Sequence, residues 1–70
     1  MDYTALKAEM VLKHVSQDDL LKHLEISRSS FYRKMNGLTE FTHDEIGKII
    51  ELLNLSSDRA MSIFFADRVS

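Results

Sequence analysis

The chain has 70 residues, no cysteine and no proline, 44% hydrophobic and 29% charged residues, and a net charge of −2. This balance fits one globular domain with a modest core, and it excludes a disordered chain, a disulfide framework and a cysteine zinc site. No apolar run reaches the roughly 20 residues of a membrane span, and the first ten residues lack the features of a signal peptide, so we expect a cytoplasmic protein.

Two helices are predicted in the first 24 residues. Asp2 or Thr4 can cap the first helix, in which apolar residues recur at helical spacing. Ser16 can cap the second helix, because its hydroxyl accepts a hydrogen bond from a free N–H group of the first turn. Asp18 and Asp19 follow in that turn, where the helix dipole favours negative charge.

A third helix follows after a tight turn. The turn is predicted at residues 25–26, and Ser27 can cap a helix over residues 28–36. Asn36 and Gly37 are a strong stop signal, because both residues tolerate the left-handed conformation that often ends a helix.

The fourth predicted helix has the clearest pattern. Thr42 can cap it, and Glu45 stands at the third helical position, which completes a T-x-x-E capping box. Its apolar residues recur at i, i+3, i+4 and i+7, namely Ile46, Ile49, Ile50 and Leu53. We expect the helix to end at residues 54–55.

Ser56 or Ser57 can cap a fifth helix that runs to about Arg68. No segment alternates apolar and polar residues with period two, so no strand is expected. We therefore predict an all-α fold, a compact bundle of five short helices that forms a single domain over residues 1–70.

The third predicted helix carries residues that suit the reading of base pairs. Four of them share one face, namely Arg28, Ser29, Tyr32 and Arg33. Arg can form two hydrogen bonds with guanine, Ser can bond several base edges, and Tyr can contact a thymine methyl group or a phosphate. Gln17 and Asn36 can contact phosphates on either side of this helix, and Lys34 adds a cation for the same purpose.

Residues 16–37 resemble the helix-turn-helix of the lambda-repressor/Cro family. S-Q opens the second helix, I-S lies in the turn, S-R-S-S-F opens the third helix and N-G closes it. Residues 38–56, LTEFTHDEIGKIIELLNLS, are similar to the fourth helix of that family and the loop before it. The final IFFADRVS resembles the tail of small Cro-like regulators and modulators of repression from temperate phages of Gram-positive bacteria.

This resemblance implies a DNA-binding domain whose third helix enters the major groove. Its base-reading positions fall on Arg28, Ser29 and Arg33, with Tyr32 beside them, and its phosphate-contacting positions fall on Gln17 and Asn36.

Three positions depart from the family pattern. Glu25 replaces the usual turn glycine, so either a residue with a side chain adopts a positive φ or the turn differs from that of the family. Leu21 stands where a small residue lets the second and third helices approach closely, and Lys34 occupies an apolar position of the third helix.

Two hypotheses for the function follow. The first is a phage-type transcription regulator of a lysis/lysogeny genetic switch, which binds double-stranded operator DNA and uses a second subunit for affinity. The alternative is an antirepressor or modulator that binds a partner protein, the phage repressor, and has weak DNA binding of its own.

Residues 1–39 carry six Lys and Arg against five Asp and Glu, whereas residues 40–70 carry three against six. This acidic balance favours the alternative, and the Arg28, Ser29 and Arg33 row favours the first hypothesis.

A partner or dimer interface is predicted near the end of the chain. Phe64 and Phe65 are adjacent, so they cannot both point the same way from a helix. We expect one of them in the core and the other at the interface with Met61 or Val69, because aromatic residues and Met are enriched in interface cores. The alternative is that both phenylalanines are covered within the protein.

No pattern indicates catalysis. His14, His23 and His43 are not spaced as a metal-binding pair on one helix face. The adjacent acidic residues lie in first turns of helices, and no G-x-S-x-G motif or glycine-rich phosphate loop is present. We therefore expect no enzymatic activity, cofactor, metal or small-molecule substrate.

Overall fold

The computed structural model describes residues 1–66, which form five α-helices and no strand. The helices are α1 (Tyr3–Leu12), α2 (Gln17–Leu24), α3 (Arg28–Met35), α4 (His43–Leu53) and α5 (Ser57–Phe64). The predicted all-α class and the five helices are confirmed over these residues. The fifth helix is shorter than predicted, because it ends at Phe64 with Phe65 as its C-cap. None of the described helices combines the length and apolar character needed to cross a bilayer.

Each helix begins at a side chain that accepts a hydrogen bond from the backbone N–H three residues further on. The five capping residues are Asp2, Ser16, Ser27, Thr42 and Ser56. Asp2 rather than Thr4 caps α1, and Ser56 rather than Ser57 caps α5. Because removal of such a cap typically costs about 1 kcal/mol, these side chains fix where each helix starts.

The connection between α2 and α3 depends on a left-handed residue. Glu25 caps the C-terminus of α2 with φ 57°, so of the two alternatives for this position the structure shows the positive φ. Its N–H group donates to the carbonyl oxygen of Leu21. Ser27 caps α3 two residues later, so only residues 25–27 separate the two helices.

Replacing Glu25 by Gly is expected to stabilise the protein by about 0.5–1 kcal/mol. A left-handed backbone costs a residue with a Cβ atom about 1–2 kcal/mol, and the greater freedom of an unfolded glycine offsets part of that gain. Urea unfolding measures the difference in the free energy of unfolding between the wild type and Glu25→Gly. Asn54→Gly is the matched control, because Asn54 ends α4 with φ 51° but Asn tolerates this conformation better than Glu. If Glu25→Gly stabilised the protein no more than Asn54→Gly does, the prediction would be wrong.

The core contains side chains from all five helices and from the loop before α4. Its buried members are Leu6, Leu20, Leu24, Phe31, Phe41, Ile49, Leu53, Ala60, Ile63 and Phe64. The two main helix contacts join α2 to α4 and α1 to α5. Phe31 of α3 packs edge to face against Phe41, with ring centroids 6.3 Å apart. Phe31 therefore holds α3 on the core by one side while the opposite side remains exposed.

Candidate nucleic-acid interface

The outward side of α3 presents a continuous polar face. The four residues predicted to read bases are all exposed: Arg28, Ser29, Tyr32 and Arg33. Because successive helical residues are about 100° apart, these four share an arc of about 140°. On the other side of the helix Phe31 is 4% exposed, and Met35, at the edge of the arc, packs against the core. The inward packing thus determines which side chains point outward.

Both residues predicted to contact phosphates are exposed as well. Gln17 is the first residue of α2, and Asn36 follows directly after α3. The Nδ2 atom of Asn36 donates to the carbonyl oxygen of Tyr32 at 2.7 Å, which fixes the amide and leaves its second N–H bond for another acceptor. One groove is lined by Gln17, Tyr32 and Asn36. The start of α2 and the end of α3 therefore lie beside the same surface.

This groove lies between α1 and α3 and has a volume of about 470 Å³. Its apolar lining residues are Met10, Val11, Val15, Phe31 and Met35. Its polar lining residues are Lys7, Gln17, Tyr32 and Asn36. Val11 is 76% exposed although it is apolar. The groove therefore places an apolar surface of α1 beside the polar face of α3.

Lys7 is a candidate phosphate contact that was not predicted. It is exposed and lines the same groove as Gln17 and Asn36, and within residues 1–66 its side chain makes no ion pair or hydrogen bond. No local pattern indicates this role, because Lys7 lies ten residues before Gln17 and only the packing of α1 beside α3 brings them together. A cation at this position can neutralise a DNA phosphate.

Arg28 is held by an ion pair at the start of α3. Its Nη2 atom donates to Oδ1 of Asp18 in α2 at 2.7 Å, and both side chains are 66% exposed. An exposed pair of this kind contributes about 0–1 kcal/mol. The guanidinium group can therefore leave Asp18 for a stronger acceptor at low cost.

Lys34 does not lie where the sequence prediction placed it. Its side chain is 11% exposed, and its Nζ atom contacts Oε1 of Glu45 at 2.8 Å and the carbonyl oxygen of Glu40 at 3.1 Å. The same Nζ atom lies 5.7 Å from the centre of the Phe41 ring. The prediction that Lys34 contacts a phosphate is therefore wrong for this structure, because its charge is neutralised within the protein. Lys34 instead joins α3 to α4.

Two carboxyl groups have pKa values below their ordinary range. Burial alone would raise the pKa of Glu45, but hydrogen bonds from the Lys34 ammonium group and the Thr42 backbone N–H outweigh burial and lower it. Asp19 is exposed, and hydrogen bonds from the backbone N–H and the hydroxyl of Ser16 lower its pKa. Each carboxylate closes a capping box at the start of a helix. Their negative charge therefore stabilises the folded state.

This arrangement predicts a loss of stability in acid. Because the pKa of Glu45 is lower in the folded than in the unfolded state, its contribution is fully present above the ordinary glutamate pKa of about 4.3. The contribution disappears as the pH falls through the lower, folded value. Urea unfolding near pH 6 and near pH 3 should show a smaller decrease in stability for Glu45→Gln than for the wild type. The exposed Glu51→Gln change serves as the control, and equal decreases in all three proteins would contradict the prediction.

The structure describes three of the four residues predicted to form a partner interface, and these three differ in exposure. Phe64 is 7% exposed and is the phenylalanine of this pair that belongs to the core, so it is not an interface residue. Phe65 is partly buried and packs against the core, whereas Met61 is 51% exposed. Val69 lies outside the described residues. The described part of the chain therefore offers only Met61 as a well-exposed apolar residue at this end of α5.

Two further observations bear on the kind of site. Within residues 1–66, no three His, Asp or Glu side chains lie together as potential metal ligands. Comparisons of the chain with models of protein families, with curated proteins and with solved structures give no match.

Proposed function

We propose that this chain is a small transcription regulator that binds double-stranded operator DNA with α3 in the major groove. In this proposal Arg28 and Arg33 donate to guanine, Ser29 bonds a base edge, and Tyr32 contacts a thymine methyl group or the backbone. Gln17, Asn36 and Lys7 contact phosphates beside the groove, and these contacts set the register of α3 on the duplex. The regulator would act in a phage-type genetic switch, as the resemblance of residues 16–37 to the lambda-repressor/Cro family implies.

The observation that carries this proposal is the exposed face of α3. A short turn joins α2 to α3, and the buried side chain of Phe31 anchors α3 on the core. The side chains suited to base recognition are all exposed on the surface of α3. A groove-reading helix needs this combination of a buried anchor and a free polar face.

The charge of the protein determines how the complex should behave. Three cations, Lys7, Arg28 and Arg33, lie on the proposed DNA-binding surface of a chain with net charge −2. The logarithm of the affinity should therefore fall with the logarithm of the salt concentration with a slope of about −2 to −3 per subunit. Two subunits on half-sites about one helical turn apart would supply the affinity that one subunit lacks.

Selection from a pool of random duplexes tests the proposal. The wild-type protein should enrich one consensus sequence, and a duplex carrying that consensus should bind at least about 1,000-fold more tightly than a scrambled one at physiological salt. A pool that remains random after repeated selection would contradict the proposal.

The groove between α1 and α3 favours a second candidate function, an antirepressor that binds a repressor protein encoded beside it. Met10, Met35 and Phe31 form an apolar floor of the kind that receives a partner helix. Among residues 1–66, Lys7 is the only charged residue that lines the groove, so an apolar helix carrying a carboxylate is complementary to it. Binding there would also cover Gln17 and Asn36, and partner and DNA would exclude each other.

Two substitutions on α1 test this second candidate. Val11→Lys places a charge in the groove, whereas Leu12→Lys places it on a residue that is 68% exposed and does not line the groove. If the repressor binds in the groove, its affinity should fall at least about tenfold for Val11→Lys and remain within about twofold for Leu12→Lys. Equal affinities for both variants, measured by calorimetry, would exclude this surface.

A further inference from the structure

The two halves of α3 are attached to the protein in different ways. The short turn from α2 fixes the start of α3, whereas the C-terminal half leads into the longer loop of residues 36–42. The two main contacts between helices join α2 to α4 and α1 to α5, and neither of them includes α3. The direction of the C-terminal half of α3 therefore depends on the side chains that it directs toward the rest of the protein.

Phe31, Lys34 and Met35 attach the middle and the C-terminal half of α3 to the protein. Phe31 packs against Phe41, and Met35 lies against the core. Burial of apolar surface has no preferred direction, so these two contacts alone allow α3 to tilt. A hydrogen bond weakens when its length or angle changes. Lys34 is therefore the side chain best suited to fix the direction of this half.

The ammonium group of Lys34 joins α3 to two separate segments. Its Nζ atom donates to Oε1 of Glu45 at 2.8 Å and to the carbonyl oxygen of Glu40 at 3.1 Å, so α4 and the loop before it are both bonded to α3. The position of Glu45 is itself fixed, because the same Oε1 atom accepts from the backbone N–H of Thr42 at 2.8 Å. A tilt of α3 would therefore lengthen or bend at least one of the two bonds from Lys34.

We propose that Lys34 is a positioning residue for DNA recognition, because its two hydrogen bonds set the direction of the C-terminal half of α3 and thereby place Arg33 in the major groove. Arg33 precedes Lys34 in the chain and is exposed on the outward face of α3. A guanidinium group must match the O6 and N7 atoms of guanine in distance and angle, and such a contact tolerates a displacement of only about 0.5 Å. Contacts with phosphates depend mainly on charge and are less demanding. This inference rests on the proposed DNA-binding function.

The combined substitution Lys34→Met, Glu45→Gln tests the inference without leaving a buried charge. Glutamine can still accept from Thr42, which retains the capping box, and the net charge does not change. The matched control is Lys48→Met, Asp44→Asn, which removes an exposed ion pair within α4. Fluorescence anisotropy measures binding to the duplex enriched by the wild-type protein and to a scrambled duplex of the same composition. Urea unfolding measures how stably each variant folds.

The expected change is in the ratio of the two affinities. Lys34→Met, Glu45→Gln should weaken binding to the enriched duplex about tenfold, which is the loss expected when one arginine no longer fits its guanine. Binding to the scrambled duplex should weaken less than about twofold, since it depends on phosphate contacts. The control should leave both affinities within about twofold. A purely structural role would not change the ratio, because partial unfolding lowers both affinities by the same factor.

The same substitutions in an Arg33→Ala background show whether the effect acts through Arg33. In that background they should change the ratio by less than about twofold, because the contact that Lys34 positions is already absent. A tenfold fall in this background as well would contradict the inference. If the wild type discriminates between the duplexes and Lys34→Met, Glu45→Gln discriminates equally well, the inference fails and the proposed function stands. If the wild type does not discriminate, both fail together.

Discussion

Replacing Lys34 by Met is expected to lower the free energy of unfolding by about 3 kcal/mol. The substitution leaves the carboxylate of Glu45 buried without its counter-ion, and removal of one partner from a buried pair typically costs about 3–5 kcal/mol. The remaining hydrogen bond from Thr42 keeps the expected loss at the lower end of that range. For a domain of 70 residues, whose total stability is of the order of 4–10 kcal/mol, this loss is large. Urea unfolding at neutral pH measures it.

Lys48→Met provides the control for that experiment. Lys48 also pairs with a carboxylate, Asp44 at 3.3 Å, but the side chain of Asp44 is 79% exposed. Loss of this pair should cost less than about 0.5 kcal/mol. If the two substitutions had equal effects, the Lys34–Glu45 pair would not be the structural link between α3 and α4 that we infer.

The double substitution Arg28→Ala, Arg33→Ala is expected to weaken binding to the enriched duplex at least about 30-fold. Each arginine that contacts guanine contributes about 1–3 kcal/mol, and the two lie far enough apart on α3 to contact different base pairs. The fold should persist, because both side chains are exposed and neither belongs to the core. Fluorescence anisotropy measures the affinity, and circular dichroism measures the helix content.

Two cations outside the proposed surface provide the comparison. Lys22 and Lys48 lie on α2 and α4, away from the outward face of α3, and their joint replacement by Ala removes the same net charge. This control should weaken binding less than about fivefold at physiological salt, since distant charges are largely screened. A loss as large as that of the arginine variant would mean that binding depends on net charge alone.

The helix starts could be predicted from the sequence because they depend on short-range chemistry. A capping side chain and its N–H partner are three residues apart, so Ser16, Ser27 and Thr42 identify their helices without tertiary information. The left-handed conformation of Glu25 was one of two alternatives raised by the family resemblance, because Glu25 stands where that family has its turn glycine. The end of α5 had no comparable signal, and that boundary was placed too late.

The roles of charged side chains were harder to predict because their partners are distant in the sequence. The spacing of Lys34 three residues after Phe31 indicates an inward position, but its counter-ion Glu45 lies eleven residues further on. The pairing of Asp18 with Arg28 likewise depends on how α2 crosses α3. The same limitation applies to Lys7, whose place in the groove follows from the packing of α1. Local patterns thus locate the helices, and tertiary contacts decide which cations remain free.

Substitution of Arg33 tests most directly whether α3 reads base pairs. This residue is exposed and makes no ion pair or side-chain hydrogen bond within residues 1–66, so its removal changes little else in the described structure. Wild type and Arg33→Ala are titrated against the enriched duplex and against a set of duplexes in which each base pair is changed in turn. If α3 reads base pairs, Arg33→Ala should lose discrimination at one base pair of each half-site and retain it at the others. An unchanged discrimination profile, with affinity reduced equally for every duplex, would contradict it.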